Sequence, residues 1–476
     1  MYQRNFMYQR FLILLFVFVN TLAAASLPAN SVVKISVSSS APNYKYPWQS
    51  DKIVESSGSG VIIEGNRILT CAHVVQYAKF IQVTQENTRK VYTASVKYIS
   101  PQIDLAILEI KEQGFFKENK PLRFSQNVKQ GQSITVLGFP IGGTTISTTK
   151  GVISRIEPHN YVFSGESFLA IQVDAAINPG NSGGAAINEK GEVIGIAMQS
   201  ITKASNISYV VPSMIVNAFL EDIKDRKVDG LENTKTNFQP LINPALRYHY
   251  GIQDDKGVVV ARLDKNEHEL RLGDILLSVD GYAIYNDGTI KTPYGQMNYT
   301  YAYDAKPVGQ VVFFTLKRDN QILSVPYTLK RKYEIVYKEF TTQPRYLVYG
   351  GFIFSPVTKN YLDANDLLSG CFDFQFQNNT QTKHIKEAVF LQLEMLPHTI
   401  NAGYRSGGDL VKSVNGELVE DFAHFVRLID ASKEVYTTIE FINFEHNKVI
   451  LNTKKAKESF EDIKAIYGLS SDRNLQ

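Results

Sequence analysis

Asn178-Pro179-Gly180-Asn181-Ser182-Gly183-Gly184 decides how this chain is read, because such a stretch can hold a serine nucleophile inside an oxyanion hole. Glycines on both sides of Ser182 let the backbone turn sharply, so that successive N–H groups can converge on one point. The N–H groups of Gly180 and Ser182 are the expected donors, with Asn181 framing the same loop. Glycine-rich serine turns are common, so the reading rests on what lies upstream. Leu69-Thr70-Cys71-Ala72-His73-Val74-Val75 sets a histidine among small and apolar residues just after a strand-like run. Asp104-Leu105-Ala106-Ile107-Leu108-Glu109-Ile110 sets a carboxylate at the head of an apolar strand. A serine hydroxyl needs a neighbouring base, and that base needs a buried carboxylate to fix its tautomer and stabilise the imidazolium. His73, Asp104 and Ser182 supply these groups in that chain order.

Gly180-Asn181-Ser182-Gly183-Gly184 also satisfies G-x-S-x-G, the nucleophile elbow of α/β-hydrolases. That elbow demands a helix directly after the serine and partners in the order Ser, Asp, His. Here Ala185-Ala186-Ile187, Asn188-Glu189-Lys190-Gly191 and Val193-Ile194-Gly195-Ile196 read as strand, tight turn, strand. The elbow fails on both counts.

With Gly58-Ser59-Gly60-Val61-Ile62-Ile63 upstream, these segments resemble the Deg/HtrA family of trypsin-fold serine proteases. Gly138-Phe139-Pro140-Ile141-Gly142, Thr149-Lys150-Gly151-Val152-Ile153-Ser154 and Gln172-Val173-Asp174-Ala175-Ala176-Ile177-Asn178 extend the likeness. It is strongest to the plant-type Deg proteases with two PDZ domains. The resemblance implies a mainly β protein: a trypsin-like double β-barrel protease domain, then two PDZ domains. It implies that Asp104, and not Asp174, is the triad carboxylate. It further implies an ATP-independent endopeptidase acting on unfolded or damaged proteins, and a homo-oligomer built from trimers.

Composition agrees with a soluble multidomain enzyme. The 476 residues are 20% charged and 44% hydrophobic, with a net charge of +3 that gives no reason to expect nucleic acid. No Cys/His cluster has metal-ligand spacing and there is no Walker-type phosphate loop, so neither metal nor cofactor is expected. Arg4 and Arg10 precede the apolar run of residues 11–19, and Ala23-Ala24-Ala25 follows. This reads as a secretory signal cut after Ala25, too short for a stable membrane span. The periplasm is the expected compartment, with secretion or an uncleaved anchor as alternatives. Cys71 reads as a small buried side chain beside the base rather than a partner of Cys371.

The expected organisation is a signal over 1–25, a protease domain over 26–228, a first PDZ domain over 229–336, a second over 337–460 and a tail over 461–476. A helix beginning at Pro212, with Ile215, Phe219 and Ile223 on one face, closes the protease domain. The PDZ pair rests on a repeat, in which the run from Arg271 to Gly281 is echoed from Ser406 to Gly416. Both copies set Gly-Asp before an apolar strand and end it on Asp-Gly or Asn-Gly, a tight hairpin signal.

PDZ domains bind extended peptides at a sheet edge. The first copy lacks a glycine-rich carboxylate loop near residues 231–236, whereas Tyr349-Gly350-Gly351-Phe352 offers one in the second. The pair is therefore read as serving assembly and gating more than capture. Ala176 and Ile177, with Met198 and Ile201 as further walls, make an apolar primary pocket suited to Val or Ala. Asn181 cannot supply the charge that switches on trypsin-like zymogens; the resemblance implies activation by ordering of loops through trimer contacts instead, with Tyr44-Lys45-Tyr46-Pro47-Trp48 as a candidate contact. The sequons at Asn206, Asn298 and Asn378 and the remaining histidines carry no functional reading.

Overall fold

The computed structural model describes residues 28–476 except 87, 113, 118, 201–206, 233, 235, 266, 333, 367–383, 406 and 443–447. The expected signal over 1–25, the pocket wall Ile201, Cys371 and the sequons at Asn206 and Asn378 lie outside the described residues.

Alternation of β-branched and polar residues builds the first barrel. In β1 (Val32–Ser39), Val33, Ile35 and Val37 are buried while Lys34, Ser36 and Ser38 between them stay partly wet. With β2 (Val54–Ile63), β3 (Arg67–Thr70), β4 (Ala78–Gln85), β5 (Val91–Ser100) and β6 (Leu105–Ile110) it closes in the order β1-β2-β3-β6-β5-β4. The second barrel joins β7 (Ser133–Gly138), β8 (Ser147–Asn160), β9 (Ser167–Val173), β10 (Ala185–Ile187), β11 (Val193–Ser200) and β12 (Ser208–Pro212) in the order β10-β11-β12-β9-β8-β7. Closure leaves neither sheet with a free edge. The hairpin after the serine is strand, turn, strand: Asn188 N–H donates to Glu192 O at 2.9 Å and Gly191 takes φ +77°.

A short helix α1 (Ala72–Val75) follows β3, and α2 (Ser213–Asp222) ends the double barrel with Ile215 and Phe219 buried and Ile223 just beyond its last turn. One apolar core runs through both barrels and takes in Leu231 and Met297 from the next unit. Gln102 seals that junction, its amide donating to Leu231 O at 3.0 Å and accepting from Leu231 N at 2.8 Å.

Two further sheets follow, as expected for two PDZ domains. The first orders strands Asn237–Pro240, Val258–Arg262, Ile275–Val279, Val311–Arg318 and Gln321–Thr328. The second orders Lys448–Asn452, Tyr436–Ile442, Leu410–Val414, Val389–Met395, Phe352–Pro356, Tyr346–Tyr349 and Arg473–Asn474. The repeated signals fold alike: Asp280-Gly281 sit at φ +45° and +84°, Asn415-Gly416 at +50° and +85°. Two successive left-handed residues are what a tight hairpin needs.

One expectation changes. Residues 461–476 are no tail: Arg473–Asn474 pairs with Tyr346 and Leu347, and the helix Phe460–Tyr467 buries Ile463 completely. Without that cover Tyr346, Val348 and Ile353 would face water. Residues 44–48, the candidate subunit contact, are partly anchored within the chain. They form the tip of a turn, with Asn43 N–H donating to Gln49 O at 3.1 Å, and Trp48 meets Tyr346 edge-on at 5.9 Å. Trp48 is thus packed against the second PDZ domain within the chain, while Tyr46 stays exposed.

Candidate functional site

His73, Asp104 and Ser182 come from three separate turns. His73 lies in the single turn of α1, begun by Cys71 at the end of β3. Asp104 ends the turn ahead of β6 with φ +57°, a left-handed position that Asp adopts more readily than most residues. Ser182 stands in the loop ahead of β10, on the other barrel.

The first two are joined firmly. His73 Nδ1–H donates to Asp104 Oδ2 at 2.7 Å, and the His73 backbone N–H donates to Oδ1 at 2.9 Å. Asp104 is fully buried, so both bonds work without competing water. This fixes the Nδ1–H tautomer and leaves Nε2 as the acceptor. Asp174, by contrast, is exposed and accepts from the Val152 N–H, away from this pair.

Ser182 is held differently from a primed nucleophile. Its Oγ–H donates to Met198 O at 3.0 Å, and His73 Nε2 has no hydrogen-bond partner among the described residues. The loop around it is tightly specified. Gly180 takes φ +96° and Gly183 φ +85°, and a Cβ on Gly183 would lie 2.1 Å from Ser59 O. Pro179 O accepts from Ile141 N–H at 2.9 Å. In a trans peptide the Gly180 N–H then points the opposite way, off the loop. Gly180 and Ser182 N–H groups have no acceptor among the described residues. The Asn181 N–H, however, is committed to Asn178 O at 2.9 Å, so Asn181 frames the loop without offering a donor.

Ser59 is one residue that sequence reasoning missed. Its Oγ–H donates to Gly180 O at 2.8 Å while accepting from Phe139 N–H at 2.8 Å, and its own N–H donates to Ser182 O at 2.8 Å. One β2 side chain thus ties the serine loop to the first barrel. Gly58-Ser59-Gly60 was visible, but nothing in the sequence says that the hydroxyl bridges two barrels.

Among the pocket candidates, Ala176 is exposed and its carbonyl accepts from Thr149 Oγ1 at 2.8 Å. Ile177 and Met198 are buried, so the structure brings Met198 to the site through its carbonyl. Cys71 is a free, buried thiol donating to Ala197 O at 3.2 Å. Cys71, His73 and Asp104 lie close together. Burial and then the Asp104 charge push the thiol well up, so it stays protonated and is a poor ligand.

Tyr349-Gly350-Gly351-Phe352 does not form an open carboxylate cradle. Tyr349 pairs with Phe352 across a two-residue turn, and a Cβ on Gly351 would meet Asn401 Nδ2 and Leu396 O at 2.4 Å. Asn401 Nδ2 donates to Gly350 O at 2.9 Å, closing the turn from outside. A Gly-Gly between aromatics is as good a hairpin signal as a cradle signal, and here the hairpin wins.

Known proteins point the same way. The trypsin-like peptidase domain family matches residues 58–196, and the PDZ domain family matches residues 335–475. "Protease Do-like 2, chloroplastic" of Arabidopsis thaliana is 31% identical over 94% of this chain and 75% of its own length. "Protease Do-like 4, mitochondrial" of the same plant is 32% identical over 95% of this chain and 86% of its own. A solved structure described as HtrA-type protease AlgW with tripeptide shares the fold, with a TM-score of 0.50 at 24% identity over 64% of this chain and 95% of that one.

Proposed function

Because this chain belongs to the Deg/HtrA family of Do-like, trypsin-type serine proteases, we propose that it is an exported, ATP-independent serine endopeptidase that cleaves unfolded or damaged proteins after small aliphatic residues. The observation that carries this reading is the Asp104–His73 couple, bonded at 2.7 Å, beside a serine loop whose Gly180 and Ser182 N–H groups have no acceptor among the described residues.

In this mechanism Ser182 Oγ turns about its Cα–Cβ bond, leaving Met198 O for His73 Nε2. One neutral hydrogen bond is exchanged for another, so the turn costs about 1 kcal/mol or less. Oγ attacks the peptide carbonyl as Nε2 takes its proton, and Asp104 steadies the imidazolium. The N–H groups of Gly180 and Ser182 receive the oxyanion. His73 then returns the proton to the leaving amine, and water repeats the sequence on the acyl-enzyme. Ala176 and Ile177 bring no charge to the primary pocket, which supports small aliphatic preference; Ile201 completes our proposed wall.

Substrates are protein chains, assembly is in trimers, and neither nucleic acid nor cofactor takes part in this reading. Among the described residues no helix is long and apolar enough to cross a membrane. The relatives' names place them in chloroplast and mitochondrion. The charged-then-apolar N-terminus of this chain supports export, to the periplasm in our reading.

The test is incubation of residues 26–476 with casein beside Ser182→Ala, across temperature. Cleavage by the first alone is expected. A second reading, a PDZ scaffold or holdase with little activity, is favoured by the Ser182–Met198 bond; suppression of aggregation by both proteins without cleavage would establish it.

A further inference from the structure

About twenty residues before the serine, the β8–β9 turn returns an aromatic pair, Tyr161 and Phe163, to the imidazole. Tyr161 is almost fully buried, with its hydroxyl 3.2 Å from His73 Nδ1. Phe163, half exposed, lies parallel to the imidazole with ring centres 5.4 Å apart and planes 5° apart. We propose that Tyr161 is a positioning residue for the His73–Asp104 couple, its phenol O–H donating to the buried carboxylate while Phe163 holds the ring face. This rests on reading His73, Asp104 and Ser182 as the catalytic set.

The donor assignment follows from what each atom has left. Nδ1–H is committed to Asp104 Oδ2 at 2.7 Å, so Nδ1 cannot accept from the phenol. The phenol keeps its proton, because burial and then the Asp104 charge push its ionisation up. A protonated hydroxyl beside a buried carboxylate donates to it. The other ionisable side chain facing the couple is Cys71, at the end of β3, whose thiol is turned to Ala197 O. Lys338, from the stretch between the two PDZ sheets, donates to the Phe163 carbonyl at 2.9 Å.

The turn is fastened on several sides. Tyr161 N–H donates to Glu166 O at 2.8 Å, Ser164 Oγ to Gln102 O at 3.2 Å, and Lys332 pairs with Glu166 at 2.6 Å. A donor delivered by so fixed a turn holds the carboxylate in the imidazole plane. It also spreads the carboxylate charge, weakening its hold on the imidazolium proton.

The experiment compares Tyr161→Phe, which keeps the ring, with Tyr161→Leu in residues 26–476. It reads kcat and KM on one peptide from pH 5 to 9, with thermal melting. For Tyr161→Phe we expect KM within about twofold, and kcat lower by about 3- to 30-fold. The acid limb of the profile should move to higher pH by roughly 0.3–1 unit. In Ser182→Ala protein the downfield Nδ1 proton resonance should follow the same displacement, without reliance on turnover. Superimposable pH profiles with kcat within twofold would overturn the proposal. So would a loss seen only as lowered melting and shared by both variants, since that is packing. Should the native protein cleave nothing, the protease reading fails, and the resonance alone still decides the role of Tyr161.

Discussion

Replacing Ser59 with alanine removes a side chain that ties the serine loop across the barrels. Ser59 is wholly inaccessible, and its hydroxyl serves both Gly180 O and Phe139 N–H, each at 2.8 Å. Alanine leaves two backbone groups buried without partners. Each such group costs about 1–3 kcal/mol, so stability should fall by about 2–6 kcal/mol, less whatever a trapped water restores. The kinetic effect is separate. The Gly180–Asn181 peptide sits between the two proposed oxyanion donors, and Ser59 fixes its carbonyl. A donor lost from such a hole lowers kcat by about 100- to 1,000-fold, so loosening one should lower it by roughly 30- to 300-fold. KM should stay within about threefold, because the bonds of Ser59 run to Gly180, Phe139, Ser182 and Thr70 and not to Ala176, Ile177 or Met198. Urea unfolding followed by circular dichroism gives the first number, and peptide turnover gives the second. An unchanged unfolding midpoint together with kcat within twofold of native would refute the bridging role.

Gly351→Ala should unfold the second PDZ domain at lower urea, by about 2 kcal/mol or more, since its φ of +80° and the contacts at 2.4 Å both forbid a Cβ. Trp48 is the chain's single tryptophan, so its emission should shift red with that transition and not with the barrels; a shift that follows the barrels would refute the contact. In the first PDZ domain, burial raises the Glu232 carboxyl from 4.5 to about 7. The unfolded chain loses that proton first, so the protonated group's contribution is complete below pH 4.5 and is lost as pH rises to about 7, on the order of 3 kcal/mol in all. Glu232→Gln should flatten the decline in melting temperature across that range, and an unchanged slope would count against it.

The catalytic candidates were legible because each sits inside a local pattern: a strand end for His73, a strand head for Asp104, a glycine turn for Ser182. The barrels and the repeat were legible because alternation and Asn-Gly or Asp-Gly turns are short-range signals. What escaped depends on distance along the chain. Tyr161 reaches His73 across 88 residues and Ser59 reaches Gly180 across 121, and no periodicity records either. Tyr349-Gly350-Gly351-Phe352 was ambiguous for another reason. The same left-handed glycines serve a cradle or a hairpin, and only Asn401 decides between them.

The turn carrying Tyr44 and Trp48 also sets an order of events during synthesis. Gln392 donates to Tyr44 O from 348 residues further on, and the strand Arg473–Asn474 completes the surface that Trp48 meets. At about 5–20 residues per second, the ribosome leaves these rings without their full cover for roughly 20–85 seconds after they emerge. A chain cut short ahead of its last domain never covers them. Its barrels can close, but they carry an uncovered aromatic rim at Trp48.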